Sequence, residues 1–318
     1  MRAFSGASLA SAAMVALAIS AGCSQVSQVQ AKRSFKAANI AYQAQDYKKS
    51  AALYEETLQE DPSIAAAHFF LANSLDNQFK PSRRGEAAND ELMTKAVEHY
   101  RLGAEKLAGS ALEDERKLAK LSLEYLVAAY GVDKLNDAAA AEPVLIKMIE
   151  MEPSEPSNYA VLGKIYEDAG YYDDAEKVLL MSKTAKPKDA SVYLQLAGFY
   201  TRQGRFDKTI EALNQRAEIE PNNPEAFQTI AGYYWDETRA NSSLTEAQKK
   251  EYISNGLGAV NKAISLKADY VEALTFKGLL LRLQALVEKE PAKQQALIKE
   301  ATDLSDQANA LKKKATGA

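Results

Sequence analysis

Two adjoining stretches decide the fold: PSNYAVLGKIYEDAGYYDDAEKVLLMSKTAKP (156–187) and KDASVYLQLAGFYTRQGRFDKTIEALNQRAEIEP (188–221). The first contains Tyr159-x-x-Leu162-Gly163-x-x-Tyr166, then Gly170, Tyr172 and Ala175, and closes on Pro187. The second repeats the order as Tyr193-x-x-Leu196-Ala197-x-x-Tyr200, then Gly204, Phe206 and Pro221. Pro153, Pro187 and Pro221 follow one another at intervals of 34 residues. Tyr159, Leu162 and Tyr166 stand at i, i+3 and i+7, on one face of a helix. Gly163 beside them lets a second helix approach closely. Gly170 supplies the backbone freedom that ends the first helix. Asp173 or Asp174 is placed to cap the second, and Pro187 stops it. A single hairpin of this kind cannot bury its apolar face, so the units must stack.

A fixed period of 34 with a large-x-x-Leu-small-x-x-Tyr motif resembles the tetratricopeptide repeat (TPR) family. The resemblance implies an all-α fold, a right-handed superhelical α-solenoid of helix hairpins closed by a C-terminal capping helix. It also implies that the first helices line a concave, partner-binding side. Few Gly and Pro for 318 residues, 15 and 9, favour helices joined by short turns.

About six repeats are expected over residues 32–290, three of them elongated. The first, from Ala31 to Pro62, has Ala38, Tyr47, Tyr54 and Leu58 in place. It carries Ser34 and Ala41 where bulky residues belong, as a terminal repeat with one free side can. The second has His68, Leu71, Ala72 and Leu75, then Ala96, Tyr100 and Leu107. The third has Leu123 to Tyr130, then Ala141, Leu145 and Ile149. The steps Pro62–Ala108, Ala108–Pro153 and Pro221–Ala268 measure 46, 45 and 47 residues. The extra residues are expected in lengthened second helices and longer loops. Helix starts fall at Asn89 or Asp90 and at Thr245, which forms a capping box with Gln248. Residues 291–318 read as the capping helix and tail, with Leu297, Ala301, Leu304, Ala308 and Leu311 on one face.

The N-terminus has its own logic. Arg2, an apolar run from Leu9 to Ile19 and the small residues Ser20-Ala21-Gly22 precede Cys23, the only cysteine. Eleven helical residues span about 16 Å, too short for the roughly 30 Å hydrocarbon core, so 1–22 reads as a secretory signal peptide. Ser20-Ala21-Gly22-Cys23 resembles a bacterial lipobox. The resemblance implies acylation (palmitate) at Cys23, a membrane-anchored lipoprotein of the cell envelope, and an outer-membrane position facing the periplasm. Ser20 replaces the usual Leu, and a signal cleaved by the ordinary peptidase is the alternative. Residues 23–31 are expected as a polar tether.

No chemistry of an enzyme is visible. P-loop, H-E-x-x-H and G-x-S-x-G motifs are absent. The two histidines, His68 and His99, with one cysteine do not furnish an ordinary zinc site, so no metal or cofactor is expected. His68 falls at a packing position. The net charge of −4 offers no general attraction for nucleic acid.

By resemblance to TPR proteins, a partner groove would use Asn39 and Tyr42, then Asn73 and Asp76. Further on it would use Lys164, Glu167 and Asp168, then Arg202, and finally Trp235 and Asp236. Phe35 and Phe69 stand where a carboxylate clamp would want a base. Trp235, the only tryptophan, reads either as packing beneath the Asn241 loop or as a peptide anchor. Two functions are thereby expected. One is a lipid-anchored protein–protein scaffold or assembly factor, meeting other envelope proteins through the concave face and the membrane through its lipid alone. The other is a soluble periplasmic or secreted module binding polysaccharide or peptidoglycan, suggested by the stripe Tyr166, Tyr200 and Tyr234.

Overall fold

The computed structural model describes the backbone of residues 8–316 and the side chains of residues 26–314. The signal segment 1–22 and Cys23 lie outside the described residues in whole or in their side chains. The described residues form fourteen α-helices and no strand. They divide into two compact units, Met1–Glu152 and Pro153–Ala318.

In the N-terminal unit, three hairpins follow one another: α1 (Ser8–Gln43) with α2 (Tyr47–Glu60), α3 (Ala66–Asp76) with α4 (Ala87–Leu107), and α5 (Glu113–Ala129) with α6 (Ala138–Met151). Residues 23–31, expected as a tether, are part of α1. Ala31, Ser34, Ala38 and Ala41 follow the helical period and are all buried, so the packed register begins at Ala31. Small residues there leave room for a cluster of rings. Phe70 stacks on Tyr54 at 5.8 Å and meets Phe35 and Tyr42 edge-on.

The extra residues of the second repeat lengthen α4, as expected, but the helix begins at Ala87 rather than at Asn89 or Asp90. Asn89 instead closes the preceding loop. It accepts from the Lys80 amide at 2.9 Å and donates to the Lys80 carbonyl at 3.1 Å. In the third repeat α6 keeps 14 residues. There the surplus goes to the first helix α5 and to the loop 130–137. Asn136 turns that loop with φ +54°, and the Asp137 carboxylate caps α6 at the Ala140 amide. The two long loops are fastened to each other. Lys134 Nζ reaches the buried Asp76 at 2.6 Å, and Arg84 Nη2 donates to the Val132 carbonyl at 2.7 Å.

The C-terminal unit stacks α7 (Pro156–Asp168) with α8 (Tyr172–Ala185), α9 (Ala190–Arg202) with α10 (Phe206–Ile219), α11 (Pro224–Ala240) with α12 (Glu246–Leu266), and α13 (Val271–Val287) with α14 (Pro291–Thr316). The repeat residues act as their spacing implies. A Cβ on Gly163 would sit 3.2 Å from Leu179 Cγ on the facing helix. Gly170 and Gly204 end their helices at φ +81° and +66°. One hydrogen bond recurs with the period: Tyr159 donates to the Pro153 carbonyl and Tyr193 to that of Pro187, each at 2.8 Å. Each tyrosine thus ties its helix to the boundary six residues earlier.

Asp173 and Asp174 do not cap α8. The N-cap is Tyr171, and both aspartates lie in the first turn, where negative charge complements the helix dipole. Thr245 and Gln248 form the expected capping box on α12. The final helix packs through Ala301 and Ala308, both buried. Its backbone meets α13 at Gly278, where a Cβ would lie 3.1 Å from the Ala301 carbonyl oxygen.

Candidate functional site

The residues expected along the first helices sort into three groups. In the N-terminal unit they are spent on one another. Tyr54 donates to Asn39 and Tyr42 to Asn73, both at 2.7 Å. Asn73 donates to the Tyr100 hydroxyl at 3.3 Å, and Tyr100 donates to Asp76 at 3.2 Å. Asn73 and Asp76 are buried. Desolvation, helped by the Asp76 charge, raises the Tyr100 phenol well above its ordinary range. Asn39, Tyr42, Asn73 and Asp76 therefore join three hairpins rather than stand open to a ligand.

In the C-terminal unit Lys164 and Asp168 pair along α7, one turn apart on the surface. Glu167 is buried and held by the forked Arg202 guanidinium at 2.8 and 2.9 Å. This pair joins α7 to α9 and depresses the Glu167 pKa, chiefly through the Arg202 hydrogen bonds. A parallel clasp on α8–α10 was not visible in the sequence. Glu176 receives Tyr200, Arg205 and Lys208 at 2.9, 2.5 and 2.8 Å. Those donors, Arg205 first, hold its carboxyl down at about 2. Tyr200 is buried, and Tyr166 and Tyr234 pack half-buried against the same core. The tyrosine stripe is packing.

Trp235 and Asp236 form the third group, and here the surface is open. A cleft of about 460 Å³ lies along α9, α11 and α13. Trp235, Tyr233 and Phe276 supply its apolar walls, and Thr201, Gln228, Thr229 and Asp236 its polar ones. Trp235 meets Phe276 edge-on at 5.8 Å. Gly232 gives the depth, since a Cβ there would lie 3.3 Å from Phe276 Cζ. Trp235 thus packs against the next repeat, and part of it faces the cleft. Phe276 escapes a sequence reading because nothing in the repeat pattern marks it. Only the stacking of α13 on α11 brings it to Trp235.

The two histidines meet face to face. His68 on α3 and His99 on α4 stack at 5.2 Å, with their Nδ1 atoms 2.9 Å apart. Burial, then the neighbouring His99 and Lys106, push the His68 imidazole down to about 4. Burial likewise lowers His99, against the pull of Glu98 and Glu55. Among the described residues no group of three or more His, Cys, Asp or Glu could hold a metal ion. None of their helices is long and apolar enough to cross a membrane.

Comparison with known proteins agrees with this geometry. A family model of the tetratricopeptide repeat matches residues 35–111, and a second model of the same repeat matches residues 190–223. No curated protein sequence matches the chain. Among solved structures, the C-terminal part of a TPR repeat-containing protein from Cytophaga hutchinsonii is similar. It is 15% identical, covers 87% of this chain and 98% of its own, and gives a TM-score of 0.53. A tetratricopeptide repeat protein from Parabacteroides merdae is 12% identical over 86% of this chain and 98% of its own, with a TM-score of 0.44. YrrB, described as a TPR protein with an unusual peptide-binding site, is 17% identical over 62% of this chain and 89% of its own, with a TM-score of 0.38.

Proposed function

This chain is a tetratricopeptide repeat protein, and from that premise we propose that it is a non-enzymatic protein–protein interaction scaffold of the bacterial cell envelope, anchored through an acylated Cys23. The observation that carries the binding role is the cleft at Trp235. The other expected groove residues, from Asn39 to Arg202, are engaged with neighbouring side chains, whereas here about 460 Å³ of aromatic-walled space is left open. A site of that kind, mostly apolar with a few convergent polar groups, is what a peptide or protein segment occupies. Trp and Tyr are the residues that anchor such contacts. The envelope role rests on the sequence before Ser24: a short apolar run, three small residues and the single cysteine.

Two measurements test the two halves separately. A photo-crosslinking amino acid placed at Gln228, inside the cleft, is expected to trap discrete protein partners in intact cells. The same probe at the exposed Met181 on α8 is expected to trap fewer. Equal labelling from both positions would remove the cleft from the account. For the anchor, the full-length protein is expected to enter the detergent phase on Triton partitioning, and Cys23→Ser to stay aqueous. Aqueous partitioning of both would refute lipidation while leaving the scaffold reading standing.

A further inference from the structure

The cleft carries a charge pattern that its shape alone does not require. Its lining and that of the small hollow beside it contain two carboxylates, Asp236 and Glu237, and no lysine or arginine. The nearest base on α9, Arg202, is forked onto Glu167. The Glu237 carboxylate accepts from Asn241 Nδ2 at 2.6 Å, a neutral donor. One cation does reach the site from its edge. Arg239, one turn further along α11, lays its guanidinium 5.0 Å above the Trp235 ring and donates Nη2 to Asp236 at 2.6 Å. A planar cation on an aromatic face with a carboxylate at its edge is how a bound arginine is recognised. Here the arginine belongs to the chain itself.

That internal pairing is weakly held. Arg239 and Asp236 lie three residues apart on one helix, with side chains 54% and 60% exposed. Exposed pairs of this type contribute little and are readily exchanged. The apolar wall of the cleft, formed by Trp235, Tyr233 and Phe276, is left open by the described residues.

We propose that the cleft takes a partner segment that pairs an apolar side chain with a basic one. The apolar group packs on the wall that Trp235, Phe276 and Tyr233 form together, and the partner's arginine or lysine takes the place Arg239 now holds against Trp235 and Asp236. This rests on the scaffold reading and specifies its ligand: a basic peptide, the opposite charge to the acidic tails a lysine-lined groove would select. Arg239 then acts as an internal competitor that tunes affinity.

Trp235 is the only tryptophan in the chain, so its emission reports directly on the cleft. The full-length protein is titrated with three blocked pentapeptides, acetyl-Ala-Leu-Xaa-Leu-Ala-amide, in which Xaa is Arg, Gln or Glu. The Arg peptide is expected to change Trp235 emission saturably and to bind at least tenfold tighter than the Glu peptide. Arg239→Gln is expected to tighten the Arg peptide about threefold, and Asp236→Asn to erase the preference for Arg over Gln. Both substitutions are on exposed side chains and leave the fold intact, checked by far-UV circular dichroism. Gln or Glu peptides binding as tightly as Arg would overturn the charge assignment while leaving the cleft as a peptide site. An Arg239→Gln variant that binds no tighter would overturn the competitor role. No response from any of the three peptides would overturn the proposal as a whole, with the crosslinking from Gln228 still deciding the scaffold reading by itself.

Discussion

At the scale of single residues, the His68–His99 contact makes a definite prediction about pH. Two Nδ1 atoms 2.9 Å apart can hold one hydrogen bond, one ring donating and the other accepting, and protonating both rings would set two positive charges against each other in a part-buried site. The folded pKa of His68, about 4, lies below its ordinary 6.5. The unfolded chain therefore binds more protons as pH falls below 6.5, and stability drops until the folded group titrates too. The loss is complete near pH 4, and at about 1.4 kcal/mol per pKa unit it is on the order of 3 kcal/mol from His68. Melting followed by circular dichroism from pH 7 to pH 5 should show a falling Tm for the wild type. A smaller fall is expected for His68→Phe, which keeps the stack but cannot take the proton; equal slopes would assign the effect elsewhere. In the sequence His68 reads as a packed histidine, and it is one. Its pairing with His99, 31 residues on, is not readable from spacing.

At the scale of elements, two glycines in long helices separate packing from propensity. On α13, a Cβ at Gly278 would lie 3.1 Å from the Ala301 carbonyl oxygen of α14, so Gly278→Ala should make the two backbones give way by a few tenths of an ångström. The expected cost is about 1–3 kcal/mol, as for overpacking generally. On α12, Gly258 has nothing within 4 Å of where a Cβ would stand. Gly258→Ala should stabilise by about 0.5–1 kcal/mol, the ordinary gain of alanine over glycine in a helix interior. Chemical denaturation of the two variants checks both signs, and a stabilised Gly278→Ala would show that α13 and α14 are not held by close backbone approach. The same scale shows where the sequence stops being legible. The periodic glycines, tyrosines and prolines fix each 34-residue hairpin because their roles are local to the unit. The long repeats are not fixed in this way. Insertions can be absorbed by either helix or by the turn, and the choice between α5 and α6 depended on the Asn136 turn and its capping aspartate.

At the scale of the whole molecule, Pro153–Ala318 contains four complete hairpins with continuous apolar cores running from Ala175 through Ile230 and from Ala231 through Leu280. In a stacked-repeat protein, stability is close to a sum of repeat and nearest-neighbour contributions, so a block of complete repeats can fold alone. The fragment 153–318 should therefore be helical by circular dichroism, with the Trp235 emission maximum of the full chain. A red-shifted, unfolded fragment would show that its core needs residues before Pro153.

The sequence by itself determined the repeat, the helix class, the turn glycines, the capping box and the absence of an enzyme's motifs, because each depends on residues within one or two turns or one period of each other. Only the tertiary structure decided which groove residues remain open. Asn73, Asp76 and Glu167 look as available in the sequence as Asp236 does. Their freedom depends on partners far along the chain, such as Lys134, 58 residues from Asp76, and Arg202, 35 from Glu167. A buried polar group must be paired, and which groups become buried is settled only when the hairpins stack.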